Sequence, residues 1–236
     1  MNRTLCVAVF VVLCMAGTLT AGNILVFEDF AVGTSAIPGA LTLWGGCGTC
    51  TITNDTTNFN TLLTGGGWDV VIYAEQADGT YSGSAAQLTA YVSGGGRLIG
   101  DTWQTGGLDG LLQASQASSN GSLITTDGNP VFAGLGATIT LTNPGWGIYS
   151  QGWDPFGGAV GIGSLDSGGF AIILGNGGRT YMNAPLTDTY SPLSDGERLI
   201  ANEIGILEGS TTTPEPSTFV GLGLGLAVLA IRRVRS

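Results

Sequence analysis

This chain of 236 residues predicts an α/β fold built on a parallel sheet covered on both faces. Three observations carry that expectation. Runs rich in apolar and β-branched residues, such as Asn23-Ile-Leu-Val-Phe27 and Trp68-Asp-Val-Val-Ile-Tyr-Ala74, suit strands buried on both sides. Stretches of helical periodicity separate these runs, and the glycine triplets at 65–67 and 94–96 stop two of them. Strand, helix, strand then recurs through the N-terminal half, as a sheet with crossover connections requires.

Taken in order, residues 23–27 form the first strand, which ends in Glu28 and Asp29. Residues 36–44 read as a short helix with Pro38 in its first turn, where a missing N–H costs nothing. Residues 50–53 are a second strand, 59–64 a helix and 68–74 a third strand. The clearest helix is 84–93, with Ser84 as its cap and Ala85, Leu88, Tyr91 and Val92 at helical spacing. Arg97-Leu-Ile-Gly100 enters as the fourth strand. Beyond Gly110 the pattern loosens. Residues 108–115 read as helical, 121–129 as turn-rich and 137–141 as a strand by β-branching. Residues 143–158 hold Trp146, Tyr149, Trp153 and Phe156 among Pro and Gly, which reads as a structured aromatic loop. Strands at 170–174 and 179–182 lie side by side across the Gly175-Asn-Gly-Gly178 turn, and a last helix spans 194–207 from a Ser194-Asp-Gly-Glu197 capping box.

Ala85 to Ile99, with its Leu88-Thr-Ala-Tyr-Val-Ser-Gly-Gly-Gly-Arg-Leu-Ile99, is similar to the helix, glycine turn and strand of class I glutamine amidotransferase-like domains. Gly178-Arg-Thr-Tyr-Met182, with the helix from Glu197 to Leu207, resembles that group's closing strand and helix. The resemblance implies a flavodoxin-like, doubly wound, mainly parallel sheet over residues 23–208. In such sheets ligands bind outside the carboxyl ends of the strands. That edge would gather Glu28, Asp29, Glu75, Gln76, Asp101, Thr102 and Trp103 into a candidate pocket. Enzymatic members of the group carry a Cys nucleophile in the turn after the fourth strand and a His partner later in the chain. Here that turn reads Gly100-Asp-Thr-Trp103 and the chain has no His, so amidotransferase activity is not carried over.

The two ends of the chain read as addresses. Arg3, the apolar run that follows it and the small residues around Ala21 form a secretory signal peptide over residues 1–22. A Thr- and Pro-rich linker at 209–218 contains Pro214-Glu215-Pro216 and leads to an apolar run of 13 residues from Phe219 to Ile231, then Arg232, Arg233 and Arg235. A bilayer core asks for about 20 apolar residues, so this span at 219–236 is short for a permanent anchor. Its arginines would hold the end in the cytoplasm while the acidic body crosses. The order of triplet, apolar span and basic end resembles the PEP-CTERM sorting tail of bacterial envelope proteins. That resemblance implies an exosortase-type membrane protease as partner, transient residence in the inner membrane, and release to the cell envelope or the extracellular space.

Composition narrows the chemistry. Seventeen carboxylates stand against seven arginines, with no Lys and no His, for a net charge of −10. Such a surface repels phosphate backbones, so nucleic acid is not an expected partner. Without His, any catalysis would have to run on carboxylates, hydroxyls or Cys. Cys47 and Cys50 remain after signal removal, and an even count in an exported chain favours a structural disulfide over a redox pair. No zinc set is available. Asp101, Asp109, Asp127, Asp154 and Asp166 stand in Gly-rich loops, but no calcium-binding loop pattern surrounds them. No cofactor or metal is therefore expected. Trp103, Trp146, Tyr149 and Trp153 could pack the core or offer a platform to sugar rings. Two readings follow: a non-catalytic binding or structural module of the envelope, interacting with exopolysaccharide or envelope proteins, or a carboxylate-dependent hydrolase of extracellular carbohydrate.

Overall fold

The computed structural model describes residues 22–77, 83–104 and 107–209. Residues 1–21 of the expected signal peptide, nearly all of the linker and the sorting tail lie outside the described residues. In chain order the elements are β1 (Gly22–Glu28), α1 (Ile37–Trp44), β2 (Cys47–Thr53), α2 (Thr56–Gly65), β3 (Val70–Glu75), α3 (Ala85–Ser93) and β4 (Leu98–Thr102). There follow α4 (Asp109–Leu112), β5 (Ala114–Ser119), β6 (Leu123–Thr125), a 3-10 turn (Pro130–Phe132), β7 (Thr138–Leu141) and β8 (Gln151–Pro155). The chain then forms β9 (Val160–Leu165), β10 (Phe170–Gly175), β11 (Thr180–Asn183), β12 (Tyr190–Ser191) and α5 (Leu193–Leu207).

All these strands join one mixed sheet, and its two halves obey different rules. The half ordered β2-β1-β3-β4-β11 is parallel throughout. β3, β4 and β11 are buried along their whole length, as strands covered on both faces must be. Helix α1 packs with α5, and α2 with α3. The right-handed crossover rule sets the two pairs on opposite faces, because the chain leaves β1 in one direction across the sheet and returns in the other. From β11 onward the pairings turn antiparallel, through β10, β9, β6, β7 and β12, with β8 and β5 branching from β10. A mainly parallel sheet was expected; the antiparallel wing makes it a mixed one. β7 alternates exposed and buried positions, as a sheet with one wet face does.

The wing is also where the local expectations fail. Residues 108–115 do not form one helix: Gln113 adopts a left-handed backbone, φ 55°, ends α4 after one turn and sends the chain into β5. The stretch at 121–129 contains β6, and the aromatic segment at 143–158 contains β8, whose Trp153 is fully buried. β9 lies in a Gly-rich run that gave no strand signal. Two caps also differ. Ser84 makes no side-chain cap bond, and α5 starts at Leu193 behind Pro192, so Ser194 lies inside the helix and the capping box does not form. The working cap is Asp55, whose Oδ1 accepts from Asn58 N–H at 2.6 Å at the start of α2. Asp55→Ala is expected to cost about 1 kcal/mol in a urea unfolding series, and an unchanged midpoint would show that the cap contributes nothing.

Among the described residues no helix is long and apolar enough to cross a membrane. Cys47 and Cys50 are joined in a disulfide at the start of β2.

Candidate functional site

The strand order reverses between β1 and β3, because β2 lies on one side of β1 while β3, β4 and β11 continue on the other. Glu28, Asp29, Glu75, Gln76, Asp101, Thr102 and Trp103 all lie at or just past the carboxyl ends of these strands, the edge where doubly wound sheets hold ligands. They do not share one pocket. Ala74 pairs with Glu28 on one side and with Asp101 on the other, and Asp101 pairs with Asn183. Glu28, Asp101 and Asn183 therefore sit on one rung and share a face. Glu75 and Thr102 pair on the next rung and face the opposite way, because successive side chains alternate across a strand.

On the first face the space is taken by the chain itself. The segment between β11 and β12 crosses the strand ends, and Ala184, Leu186, Thr187, Asp188 and Thr189 are all buried. Thr187 Oγ1 donates to Glu28 Oε1 at 2.7 Å, its N–H donates to Gln76 Oε1 at 3.1 Å, and its carbonyl accepts from Ala36 N–H at 2.9 Å. Gln76 Nε2 donates to Phe30 O at 2.6 Å. Asp188 fastens the neighbouring loop: its Oδ2 accepts from Val32 N–H and Gly33 N–H, both at 2.8 Å, and Trp146 Nε1 donates to its Oδ1 at 3.0 Å. Asp29 accepts from the N–H groups of Phe30, Gln76 and Ala77. These carboxylates hold loops by their backbone donors.

Deeper on the same face lies a group of polar side chains that sequence reading missed. Asn183 Nδ2 donates to Glu203 Oε2 at 3.1 Å, and Glu203 on α5 is wholly buried. Burial pushes the Glu203 carboxyl up to about 8, against a small opposing effect from Asn183. Asp101, 1% exposed, is raised well above the carboxylate range by burial first, then by Glu203, Glu28 and Asp188. Tyr190, also buried, is raised by burial and by the same two acids, Asp101 and Glu203. Glu28 is raised by burial, less so because Thr187 donates to it. Enclosure of this kind favours the neutral form of both carboxyls. Asn183 beside Asp101 partly opposes its rise. Among the described residues, both oxygens of Asp101, Glu203 Oε1, Asn183 Oδ1 and the Tyr190 hydroxyl lack a partner in hydrogen-bond geometry. One sequence signal pointed here: Glu203 falls on the same helical stripe as Leu199, Ile200, Ile204 and Leu207, an acid among core positions.

The other candidates separate in space. Trp153 is buried and donates to Asn183 O at 3.0 Å, Tyr149 bonds Asn120 O, and Trp146 meets Phe30 edge-on at 5.8 Å. Trp153 is core and drops out of any sugar platform, while Trp146 and Tyr149 are part-buried and held by their own partners. Trp103 is half-buried beside β4, and its Nε1 has no partner among the described residues. Asp127 accepts from Asn129 N–H and Gly163 N–H, and Asp166 from Ser122 and Leu123. Those aspartates tie loops of the wing together. Among the described residues no three His, Cys, Asp or Glu side chains converge as a metal centre would require. A groove between α2 and α3, lined by Leu63, Ala86, Ala90 and Tyr91, lies away from the strand ends.

Residues 212–235 match the family model described as the PEP-CTERM protein-sorting motif, a stretch that contains Pro214-Glu215-Pro216 and Arg232-Arg233. The chain carries a PEP-CTERM tail. This tail marks an exported protein that passes through the membrane and is sorted by exosortase, a membrane protease. Two solved structures are similar to the body. One is described as a GMP synthase component from Thermoplasma acidophilum, with 14% identity, TM-score 0.56, and 80% of this chain and 95% of that one covered. The other is a glutamine amidotransferase of Thermotoga maritima, with 9% identity, TM-score 0.52, and 80% and 94% covered. At such identities the likeness is one of fold, and the body ahead of the PEP-CTERM tail has the amidotransferase-like α/β architecture. No curated protein sequence matches the chain significantly.

Proposed function

We propose that the α/β body is a non-catalytic binding or structural module, delivered by its PEP-CTERM tail to the cell envelope or the extracellular matrix. There it interacts with exopolysaccharide or other envelope components. The observation that carries this reading is the closed strand-end edge, where Thr187 and Asp188 occupy the place of a ligand and are bonded to Glu28, Gln76 and the 32–33 backbone. Sequence supports it independently, because the turn after β4 has no Cys and the chain no His. A hydrolytic carboxyl pair needs a water and a sugar between its members. Asp101 and Glu203 are sealed from both.

Intact-mass measurement of the protein from its native cell, with and without exosortase, tests the sorting half. Loss of the tail is expected only where the protease is present, and a tail retained in both strains would remove the reading. Incubation of the purified protein with envelope polysaccharide tests the other half: retention on the polysaccharide without release of reducing ends is expected. Steady release of sugar that Asp101→Asn abolishes would establish the hydrolase instead.

A further inference from the structure

The edge of the sheet opposite the acid group holds an unused carboxylate. β1 opens at Gly22, whose N–H donates to Gly46 O at 2.8 Å. Glu208, the first residue past α5, fills the space where a Cβ on Gly22 would stand, so a side chain at position 22 would displace its carboxylate. Glu208 Oε1 is buried and has no hydrogen-bond partner among the described residues. Burial raises the Glu208 carboxyl from its ordinary value, Asp69 adds to the rise and Arg97 opposes it; Tyr91 faces the same two groups. Arg97 apart, no described group gives Glu208 Oε1 a donor or a positive charge. In the uncut chain Gly22 supplies neither, because its amide has one hydrogen and that is given to Gly46.

We propose that export cuts the chain between Ala21 and Gly22, and that the new α-ammonium of Gly22 pairs with Glu208, tying the first strand to the helix end from which the sorting tail departs. The cut is a hydrolysis by a signal peptidase: water adds across the Ala21–Gly22 amide, leaving a carboxylate on Ala21 and an ammonium on Gly22. Ala21 and Gly22 are both small, so a signal peptidase could cut after either one. Cleavage after Gly22 would remove the ladder bond to Gly46 and leave Glu208 unpaired. N and Cβ branch from one Cα about 2.5 Å apart; with Oε1 2.0 Å from that Cβ position, the oxygen is at most about 4.5 Å from the nitrogen, and a small turn of the Glu208 side chain brings the two into ion-pair contact. The three hydrogens of an ammonium serve Gly46 and Glu208 together.

This inference rests on the export reading, and the test separates their failures. N-terminal sequencing of the full exported protein is expected to begin at Gly22. A chain that begins at Met1 removes the export reading itself, whereas one that begins at Asn23 or beyond overturns this inference alone. Because the sequence has no Lys, the α-amine is the one primary amine on the molecule. Reductive methylation with 13C-formaldehyde therefore gives a single amine resonance. It is expected to titrate at least about one pH unit above the usual α-amino range of about 7.7–8.0, a tenfold shift in proton affinity, and to return to that range in Glu208→Gln. An ordinary titration in the wild type, or an elevated one that Glu208→Gln leaves unchanged, overturns the pairing.

Discussion

Glu203→Gln is expected to remove much of the fall in domain stability that the wild type shows between about pH 5 and pH 8. The unfolded chain ionises Glu203 near the ordinary value of 4.5 and the folded domain only near 8. Between those values the unfolded state releases a proton that the folded state keeps. Stability from the neutral carboxyl is thus whole below the unfolded value, falls by about 1.4 kcal/mol per pH unit, and is gone once the folded value is passed. The full loss is on the order of 5 kcal/mol, a large part of what holds a domain of this size together. Asp101 is shifted in the same direction by burial and by Glu203 itself, so Asp101→Asn should flatten the remaining slope. Gln keeps an oxygen to accept from Asn183, as Glu203 does now. Urea midpoints at three pH values read the effect directly, and a Glu203→Gln variant that loses stability as steeply as the wild type would refute the protonated-acid account.

Asp188→Ala should lower stability by about 3–5 kcal/mol and loosen the segment that closes the strand ends. The carboxylate receives two backbone N–H groups and an indole N–H, and its removal strands all three donors in a half-buried place. Asp188→Asn retains one acceptor oxygen and should cost roughly half as much. Hydrogen exchange of Val32 and Gly33 amides reports the loosening residue by residue. Exchange no faster than in the wild type would mean that the segment is held by its buried Leu186 and Thr187 alone. The same variant bears on function: if opening this edge gives the protein affinity for small solutes it otherwise ignores, the closed edge is what keeps the fold from acting as a ligand site.

The parallel half was legible because each of its signals is local. β1, β3 and α3 each announce themselves within one window of residues, through a continuous apolar run or a helical stripe ended by glycine. The antiparallel wing was not. β5 and β9 are rich in Ser and Gly and β8 holds Gly, Asp and Pro, so their own propensity is weak, and they become strands because distant partners complete their hydrogen bonds. Trp153 looked like part of an aromatic loop, yet it is core, since β8 turns it inward against Asn183. The candidate pocket shows the same division. Strand ends could be found from sequence, so Glu28 and Asp101 were found. Register could not, so Glu75 and Thr102 were grouped with acids that point to the other face.

By itself the sequence determined the address and half of the architecture: a PEP-CTERM tail is a contiguous pattern, and a crossover-connected parallel sheet is written in successive segments. Only the tertiary structure decided what the strand ends do. Thr187 closes on Glu28 across 159 residues, and Glu203 reaches Asn183 from the last helix. Such contacts depend on strand register and helix rotation, which no local window encodes, and they turn an edge that could have bound a ligand into one filled by the chain's own hydrogen bonds.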